Sequence, residues 1–478
     1  MSPNRSWAAY PSTYRAKEMK MLAGWISAGE SGSVVGLLGS GRSNLLGFLC
    51  YRPEVIQNYL LSQVGSVAVI PVDLNNLPAP DLSALYRVII RSFYRVRDQF
   101  DQNLQEKIVE AYQESRAEQD SFLAQSALQD LILPFQSQQI RVILVLNRFD
   151  RFCQMATPQM ANTLRGLRDE FKDTITYIAG MTQEVAYWPD PSALGEMYEL
   201  LDNYICWVGA MDGEDAQNLI ERATAAASDP PTDTDLKTMI TLTGAYPSLL
   251  RTTCNWWLIT EDKPPHLCWV ETLLVERSIQ HRLVQIWQGL TQEEQFVLSE
   301  LQKLQAMKAS IKDRANDKPK NFNQIYQGFI EGHLKILTGL ATKGLLRQIE
   351  TDWQIRADLL AVFIARVEGR GRGRIWLDEQ TGEIYQGETL LKDLTALEKS
   401  VLSFLIQHPR ISHTKTDLIV NTWPDELRQQ GVTDSSLYQL VSTLRKQIEP
   451  NPSEPSYLIT WRGKPEGGYQ FFPEGRPK

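Results

Sequence analysis

The sequence predicts an α/β core, a helical lid and two smaller α+β units, in that order along 478 residues. Three observations predict it. Short apolar runs alternate with helical periodicity over residues 1–210, the pattern of a doubly wound parallel sheet. Helical patterning alone fills 211–285. Two later stretches, 286–368 and 375–478, each combine capped helices with a hairpin, and a basic linker at 369–374 joins them.

A chain of this length holds about three domains, and 43% hydrophobic with 22% charged residues is ordinary for a soluble protein. The net charge of −8 excludes a wholly basic nucleic-acid coat but leaves room for a local basic patch. Five cysteines (Cys50, Cys153, Cys206, Cys254, Cys268) form no C-x-x-C pair and no metal spacing, which reads as reduced thiols of a cytoplasmic protein. No apolar run approaches the ~18–20 residues of a membrane span, and the first residues lack a signal-peptide core. A cytoplasmic protein with no membrane partner is expected.

Tyr10–Ala28 reads as an arm and a helix, with Met19, Leu22, Ala23 and Ile26 on one face. Its Arg15 and Lys17 either flank a nucleotide base or form a solvated edge. An apolar run then enters Gly36-Leu37-Leu38-Gly39-Ser40-Gly41-Arg42-Ser43, and Asn44-Leu45-Leu46 starts a helix. Strand, glycine turn and helix in that order make a phosphate-binding loop: the glycines let backbone N–H groups turn inward beside a helix N-terminus. Gly36, Gly39, Ser40, Gly41, Arg42, Ser43 and Asn44 are the expected nucleotide contacts, with Ser43 the expected Mg²⁺ ligand. The pattern G-x-x-x-x-G-K-S/T places Lys where this chain has Arg42, a larger forked cation that attracts phosphate but positions it differently. ATP or ADP is the expected cofactor.

Ser66–Asp73, Arg141–Asp150, Thr174–Gly180 and Ile205–Val208 read as the remaining strands, with helices at Leu82–Gln99, Leu104–Gln113 and Ser121–Phe135 between the first two. A hydrolytic site needs a metal-holding carboxylate and a base at the end of the second of these strands. Asn147 and Arg148 stand there instead, leaving Asp150 as the catalytic candidate if the loop turns back. After the next strand, Thr182 or Gln183 is placed to sense the γ-phosphate. Binding with weak or absent hydrolysis follows.

Helices at Asp215–Ala227, Asp233–Thr243 and Pro247–Thr260 make the lid, with the junction Gly244-Ala245-Tyr246-Pro247 before the last. The arm, GLLGSGRS, VILVLNRFD and GAYPSLLR together resemble a P-loop ATPase of the AAA+/STAND group over roughly the first 285 residues. The resemblance implies an α/β P-loop NTPase core, with Pro247 approaching the base and Arg251 a second phosphate sensor. Both motifs that carry hydrolysis, Walker A and Walker B, are degenerate here.

Thr291 and Glu294 form a T-x-x-E capping box; a basic loop (Lys308–Lys320), a helix (Gly332–Thr342) and a hairpin turning near Thr351-Asp352 follow. This unit resembles a winged helix that packs against such a lid or touches DNA. Arg366 to Arg374 alternates glycine with arginine and reads as a flexible basic linker.

From Ile375 come two short strands, a helix capped by Thr395 and Glu398, a second helix (His413–Val420), Trp423, and a third helix capped by Thr433. Leu437, Val441, Leu444 and Ile448 form its apolar stripe, and a hairpin over 457–472 closes the unit. LTALE, Trp423, Leu444-Arg445-Lys446 and Arg462-Gly463 with Gly468-Tyr469 resemble the winged-helix effector domain of OmpR/PhoB-type regulators. The resemblance implies a DNA-binding third helix and wing, with Ser442, Arg445, Lys446, Arg462 and Lys464 as contacts. The expected whole is a transcriptional regulator in which a nucleotide-binding switch controls binding of double-stranded DNA. Homo-oligomers or other regulatory proteins are compatible partners. Two alternatives stand: an active AAA+ ATPase oligomerising on DNA, with Arg165 or Arg168 as arginine finger, and a protein-binding scaffold with a vestigial loop.

Overall fold

The computed structural model describes residues 7, 9–60, 65–117, 120–313, 322–369, 374–378, 381–387, 389–425, 431–450, 452–463 and 466–476. They form two compact units, Met1–Val297 with Arg314–Leu360, and Leu298–Asp313 with Ala361–Lys478.

In the first unit α1 (Ala16–Ala28) leads to β1 (Gly32–Val35), α2 (Arg42–Tyr51) and α3 (Pro53–Gln57). β2 (Val67–Asp73) follows, then α4 (Leu82–Val96), α5 (Gln102–Ala117) and α6 (Ser121–Ser137). The chain continues through β3 (Arg141–Asn147), α7 (Phe149–Met155), α8 (Pro158–Glu170), β4 (Ile175–Met181), α9 (Met197–Asp202) and β5 (Ile205–Trp207). All five strands are parallel, in the order β2-β3-β4-β1-β5. Alternate residues of β3 enter different cores: Val142, Leu144 and Leu146 pack with α4–α6 and α8, whereas Ile143 and Val145 pack with α1 and α2. Both faces are covered, which is why that strand carries no polar residue between its ends. β1 lies between β4 and β5, so the chain leaving its carboxyl end enters the crevice where a doubly wound sheet binds ligands.

Five helices succeed the sheet: α10 (Gly213–Thr224), α11 (Asp233–Thr243), α12 (Pro247–Ile259), α13 (Trp269–Val275) and α14 (Arg277–Gln288). Then come α15 (Gln292–Asp313), α16 (Phe322–Thr342), the antiparallel pair β6 (Leu346–Ile349) and β7 (Asp352–Ile355), and α17 (Asp358–Gly369). The Thr291–Glu294 box is present, each residue's backbone N–H donating to the other's side chain at 3.0 and 3.2 Å. Three expectations need correction here. Lys308–Asp313 continue α15 and are not loop. The hairpin turns at Glu350-Thr351, one residue early, because Glu350 takes the left-handed φ of +54°. Arg366–Gly369 belong to α17, whose buried Leu359, Leu360 and Ile364 carry the helix into the stretch expected to be linker. Arg370 and Arg372, and residues 314–320 of the expected loop, lie outside the described residues.

The C-terminal segment begins with β8 (Ile375–Leu377), β9 (Ile384–Gln386) and β10 (Thr389–Leu390), an antiparallel sheet. It continues with α18 (Ala396–Gln407), β11 (Ser412–Thr414), α19 (Lys415–Thr422), α20 (Asp434–Ile448), β12 (Leu458–Trp461) and β13 (Gly468–Phe471). The expected helix start at His413 is corrected: His413 pairs with Tyr469 in the sheet, and Thr414 caps α19 with Asp417. Val401, Leu405, Leu418, Leu437, Leu444 and Phe471 belong to one buried cluster.

Candidate functional site

Gly36 leaves β1 with its N–H on the Met181 carbonyl at 3.1 Å. Gly39 and Gly41 then adopt φ of +84° and +89°. At Gly39 a Cβ would also fall 2.2 Å from Ser248 Oγ, so conformation and space both exclude a side chain there. No side chain caps α2 at its start. The Asn44 N–H turns back to the Gly41 carbonyl at 2.9 Å, so the Arg42 and Ser43 N–H groups and the positive end of the dipole are left for an anion.

The loop is gripped from two sides. Tyr246 Oη donates to the Leu38 carbonyl at 3.1 Å and the Ser248 N–H to the Gly39 carbonyl at 3.0 Å, so the GAYPS junction closes on the loop. From the arm comes Arg15, 2% exposed and left-handed at φ +53°. Its guanidinium donates to the carbonyls of Ser40 (2.9 Å), Gly209 (2.9 Å) and Ala210 (3.2 Å), while its N–H donates to Asp215 Oδ2 at 2.9 Å. Burial pushes the Asp215 carboxyl up to about 6. Arg15 is thus neither a base-flanking residue nor a solvated edge, but an internal tie between arm, loop and lid. It also pairs with Glu18 Oε1 at 3.0 Å, three residues on, but the distant carbonyls it ties together leave no signal in the sequence.

Between loop and lid is a cavity of about 640 Å³. Gly36, Gly39, Gly41, Arg42, Ser43 and Asn44 line it from the loop, and Pro247, Ser248 and Arg251 from the junction. Tyr10, Arg222 and Arg282 complete its basic wall, Arg222 standing 3.7 Å over the Tyr10 ring. Four arginines and no carboxylate line this cavity. Ser40, Asn147, Asp150 and Thr182, assigned to the site from sequence, do not line it. The Ser40 hydroxyl is buried without a partner beneath the loop.

At the strand ends the groups expected to hydrolyse are otherwise engaged. Asp150 Oδ1 accepts from the N–H and Oγ1 of Thr182 at 2.7 and 2.8 Å, and its Oδ2 faces Arg42 Nη1 at 3.6 Å. Asp150, the catalytic candidate expected to reach a metal if the loop turns back, is thus engaged by Thr182 and Arg42. Arg148 is left-handed at φ +59° and pairs with Asp73 at 3.8 Å. Asn147 Oδ1 is buried without a partner. Arg42 is nearly buried; desolvation lowers its pKa while Asp150 opposes that, and its Nε and Nη1 have no hydrogen-bond acceptor. For Mg²⁺ the cavity offers the Ser43 hydroxyl and no carboxylate, a set too poor for a hard cation that takes carboxylate and phosphate oxygens. Among the described residues no group of three His, Cys, Asp or Glu can hold a metal ion. The expected Mg²⁺ does not fit. Neither finger candidate is free: Arg168 is buried on the Gly29 carbonyl at 2.9 Å, and Arg165 is paired with Asp169 at 2.8 Å.

In the C-terminal segment α20 buries Leu437, Leu440, Val441, Leu444 and Ile448, leaving Tyr438, Gln439, Ser442, Thr443 and Lys446 exposed. Arg462 is exposed in the wing, and Lys464 lies outside the described residues. Arg445 differs from its expected role. Its Nε and Nη2 donate to the Leu458 carbonyl at 3.0 and 2.7 Å, and Nη2 also to Thr460 Oγ1 at 2.9 Å. It fastens α20 to β12. One turn on, buried Glu449 accepts from the N–H groups of Ser456, Tyr457 and Leu458 at 2.7–3.1 Å. Sequence reading missed Glu449, because a glutamate after a helix looks like a solvated end.

Residues 388–471 match the family described as transcriptional regulatory protein, C terminal. The C-terminal segment is an OmpR/PhoB-type winged helix. Protein PetR of Rhodobacter capsulatus is 31% identical over 104 residues, 21% of this chain; the match spans 42% of PetR's length. Among solved structures, the Aeropyrum pernix ORC2 protein aligns with 74% of this chain and 93% of its own at 12% identity and a TM-score of 0.36. A Walker-type ATPase of Pyrococcus abyssi aligns with 74% of this chain and 98% of its own, also at 12% identity, with a TM-score of 0.43. Scores this low leave the fold to rest on strand order and loop: a five-stranded parallel α/β sheet with a glycine-rich loop between β1 and α2. No helix among the described residues is long and apolar enough to cross a membrane.

Proposed function

We propose that this chain is a cytoplasmic transcriptional regulator whose P-loop core binds ATP or ADP as a switch, with the winged helix binding duplex DNA. The observation that carries the switch is the uncapped α2 N-terminus behind Gly36–Ser43, opening into a cavity walled by four arginines and no carboxylate. Bound nucleotide bridges loop and lid, because Arg222, Arg251 and Arg282 lie in the lid while Arg42 lies in the loop. The nucleotide is held without being hydrolysed, since Asn147 and Arg148 replace the acidic pair and Asp150 is held by Thr182 and Arg42.

Residues 286–368 serve as a winged-helix coupler. Arg356 Nη2 donates to the Met211 carbonyl at 2.9 Å, and a Cβ on Gly344 would lie 2.0 Å from the Ala210 nitrogen. The coupler thus touches the segment after β5 that also receives Arg15. A ligand that differs in its fit to two lid positions shifts the population of both. On DNA, Ser442, Lys446 and Arg462 make the contacts, and Arg445 sets the angle of helix to wing.

The test is calorimetric titration of ATP and ADP into the full chain, followed by a turnover assay and DNA binding with and without nucleotide. Binding with negligible turnover, some of it gained in Arg42→Lys with Asn147→Asp, is expected. Brisk wild-type turnover overturns the switch in favour of an active DNA-dependent ATPase. Absence of nucleotide and DNA binding leaves the scaffold.

A further inference from the structure

We infer that this cavity takes its nucleotide as the metal-free polyphosphate, with arginines standing where Mg²⁺ would neutralise charge. The inference rests on the nucleotide role proposed for the loop. In a metal-dependent site the cation bridges phosphate oxygens and is held by protein oxygens, so the protein supplies carboxylates near the phosphate. Here the polarity is reversed. Asn147 occupies the position of the metal-directed carboxylate, and its Oδ1 is buried with no partner. Arg148, next along, holds a cation where the second acid belongs and is paired with Asp73. Asp150 is held by Thr182 and faces Arg42, so a divalent cation reaching it would displace hydrogen bonds and meet a guanidinium.

The positive charge a metal would bring is already built in. Arg42 lines the cavity from the loop; its buried Nε and Nη1 make no hydrogen bond, Nη1 standing 3.6 Å from Asp150 Oδ2. A guanidinium removed from water without acceptors is costly until an anion supplies them. Arg251 and Arg282 face the same cavity from the lid, Arg251 exposed and Arg282 half-buried. Guanidinium forks match phosphate oxygens two at a time, a geometry that a chelated metal would obstruct by occupying those oxygens.

Titration of ATP and ADP into the full chain, once in Mg²⁺ and once in EDTA, tests it. The expected dissociation constants agree within about threefold, or are tighter in EDTA. The double variant Arg251→Ala with Arg282→Ala, its fold checked by circular dichroism, weakens the EDTA titration by about tenfold or more. Binding about tenfold tighter in Mg²⁺ overturns metal independence while leaving the nucleotide role standing. An unchanged EDTA affinity in the double variant overturns the part given to the arginines, since they then do not carry the charge. No heat and no competition by nucleotide in either buffer overturns the nucleotide role itself, and the inference with it.

Discussion

Arg42 and Arg445 stand where each half of this protein should meet an anion, and they are held in opposite ways. Arg42 is nearly buried with two nitrogens lacking acceptors, and its nearest carboxylate is 3.6 Å away. Arg445 makes three hydrogen bonds of 2.7–3.0 Å to β12. One arginine is left wanting a ligand; the other completes its own domain. A motif places a side chain, but the groups around it decide whether it is free to bind. At the glycine loop the Ser40 hydroxyl and two Arg42 nitrogens are buried without hydrogen-bond partners, whereas in the winged helix Arg445 and Glu449 have theirs.

The largest effect should come from breaking the satisfied side. Glu449→Ala removes the acceptor of three backbone N–H groups at the entrance to β12. Buried donors left unpaired cost ~1–3 kcal/mol each, so a loss of about 3–5 kcal/mol in local stability is expected. Hydrogen exchange over residues 434–471 reads it, with Glu449→Gln losing less because an amide oxygen still accepts. If exchange there is unchanged by Glu449→Ala, the winged helix is not closed by its own polar groups and the contrast with the loop fails.

The unsatisfied side is tested next, by Gly39→Ala. The new methyl meets Ser248 Oγ and forces a side chain into φ +84°, a strain of ~1–2 kcal/mol before the clash is counted. Nucleotide affinity should fall by about tenfold or more. Adding Ser248→Gly should recover part of it, since that relieves the contact but not the backbone strain. Full affinity in Gly39→Ala would mean the loop backbone does not shape the anion site.

How much of this was legible follows from where each partner lies. The buried strands and the capping boxes were readable because their signals are local: an apolar run such as VILVL, or Thr and Glu three residues apart. The glycine turn between strand and helix was readable for the same reason. Arg15, Arg445 and Glu449 were not, because the partners that tie them to other segments are mainly backbone groups: carbonyls at Ser40, Gly209 and Leu458, and N–H groups at Ser456–Leu458. Composition says nothing about such groups, and a basic or acidic residue bound to them looks identical to a solvated one. The strand at Ser412–Thr414 was missed because its three polar residues carry no apolar alternation. Asp150 was placed correctly near the strand ends, yet Thr182 and Arg42 reach it from other segments, and that changes its chemistry.

The smallest effect separates two adjacent residues. Lys446 is exposed on α20, and Arg445 is tied to β12. If the winged helix binds duplex DNA through the exposed face, Lys446→Ala should weaken binding about evenly across sequences. It should also reduce the salt dependence by about one unit of slope, as loss of one phosphate contact does, and leave stability unchanged. Arg445→Ala should do the reverse: cost about 1.5–3 kcal/mol of domain stability and weaken binding with little change in slope, because its charge faces the Leu458 carbonyl and not the phosphate. Anisotropy titrations of labelled duplex over a salt series, beside urea unfolding of each variant, distinguish the two. Matching slopes for both variants would put Arg445 on phosphate, and the division between an arginine that waits for a ligand and one that has its partners would dissolve.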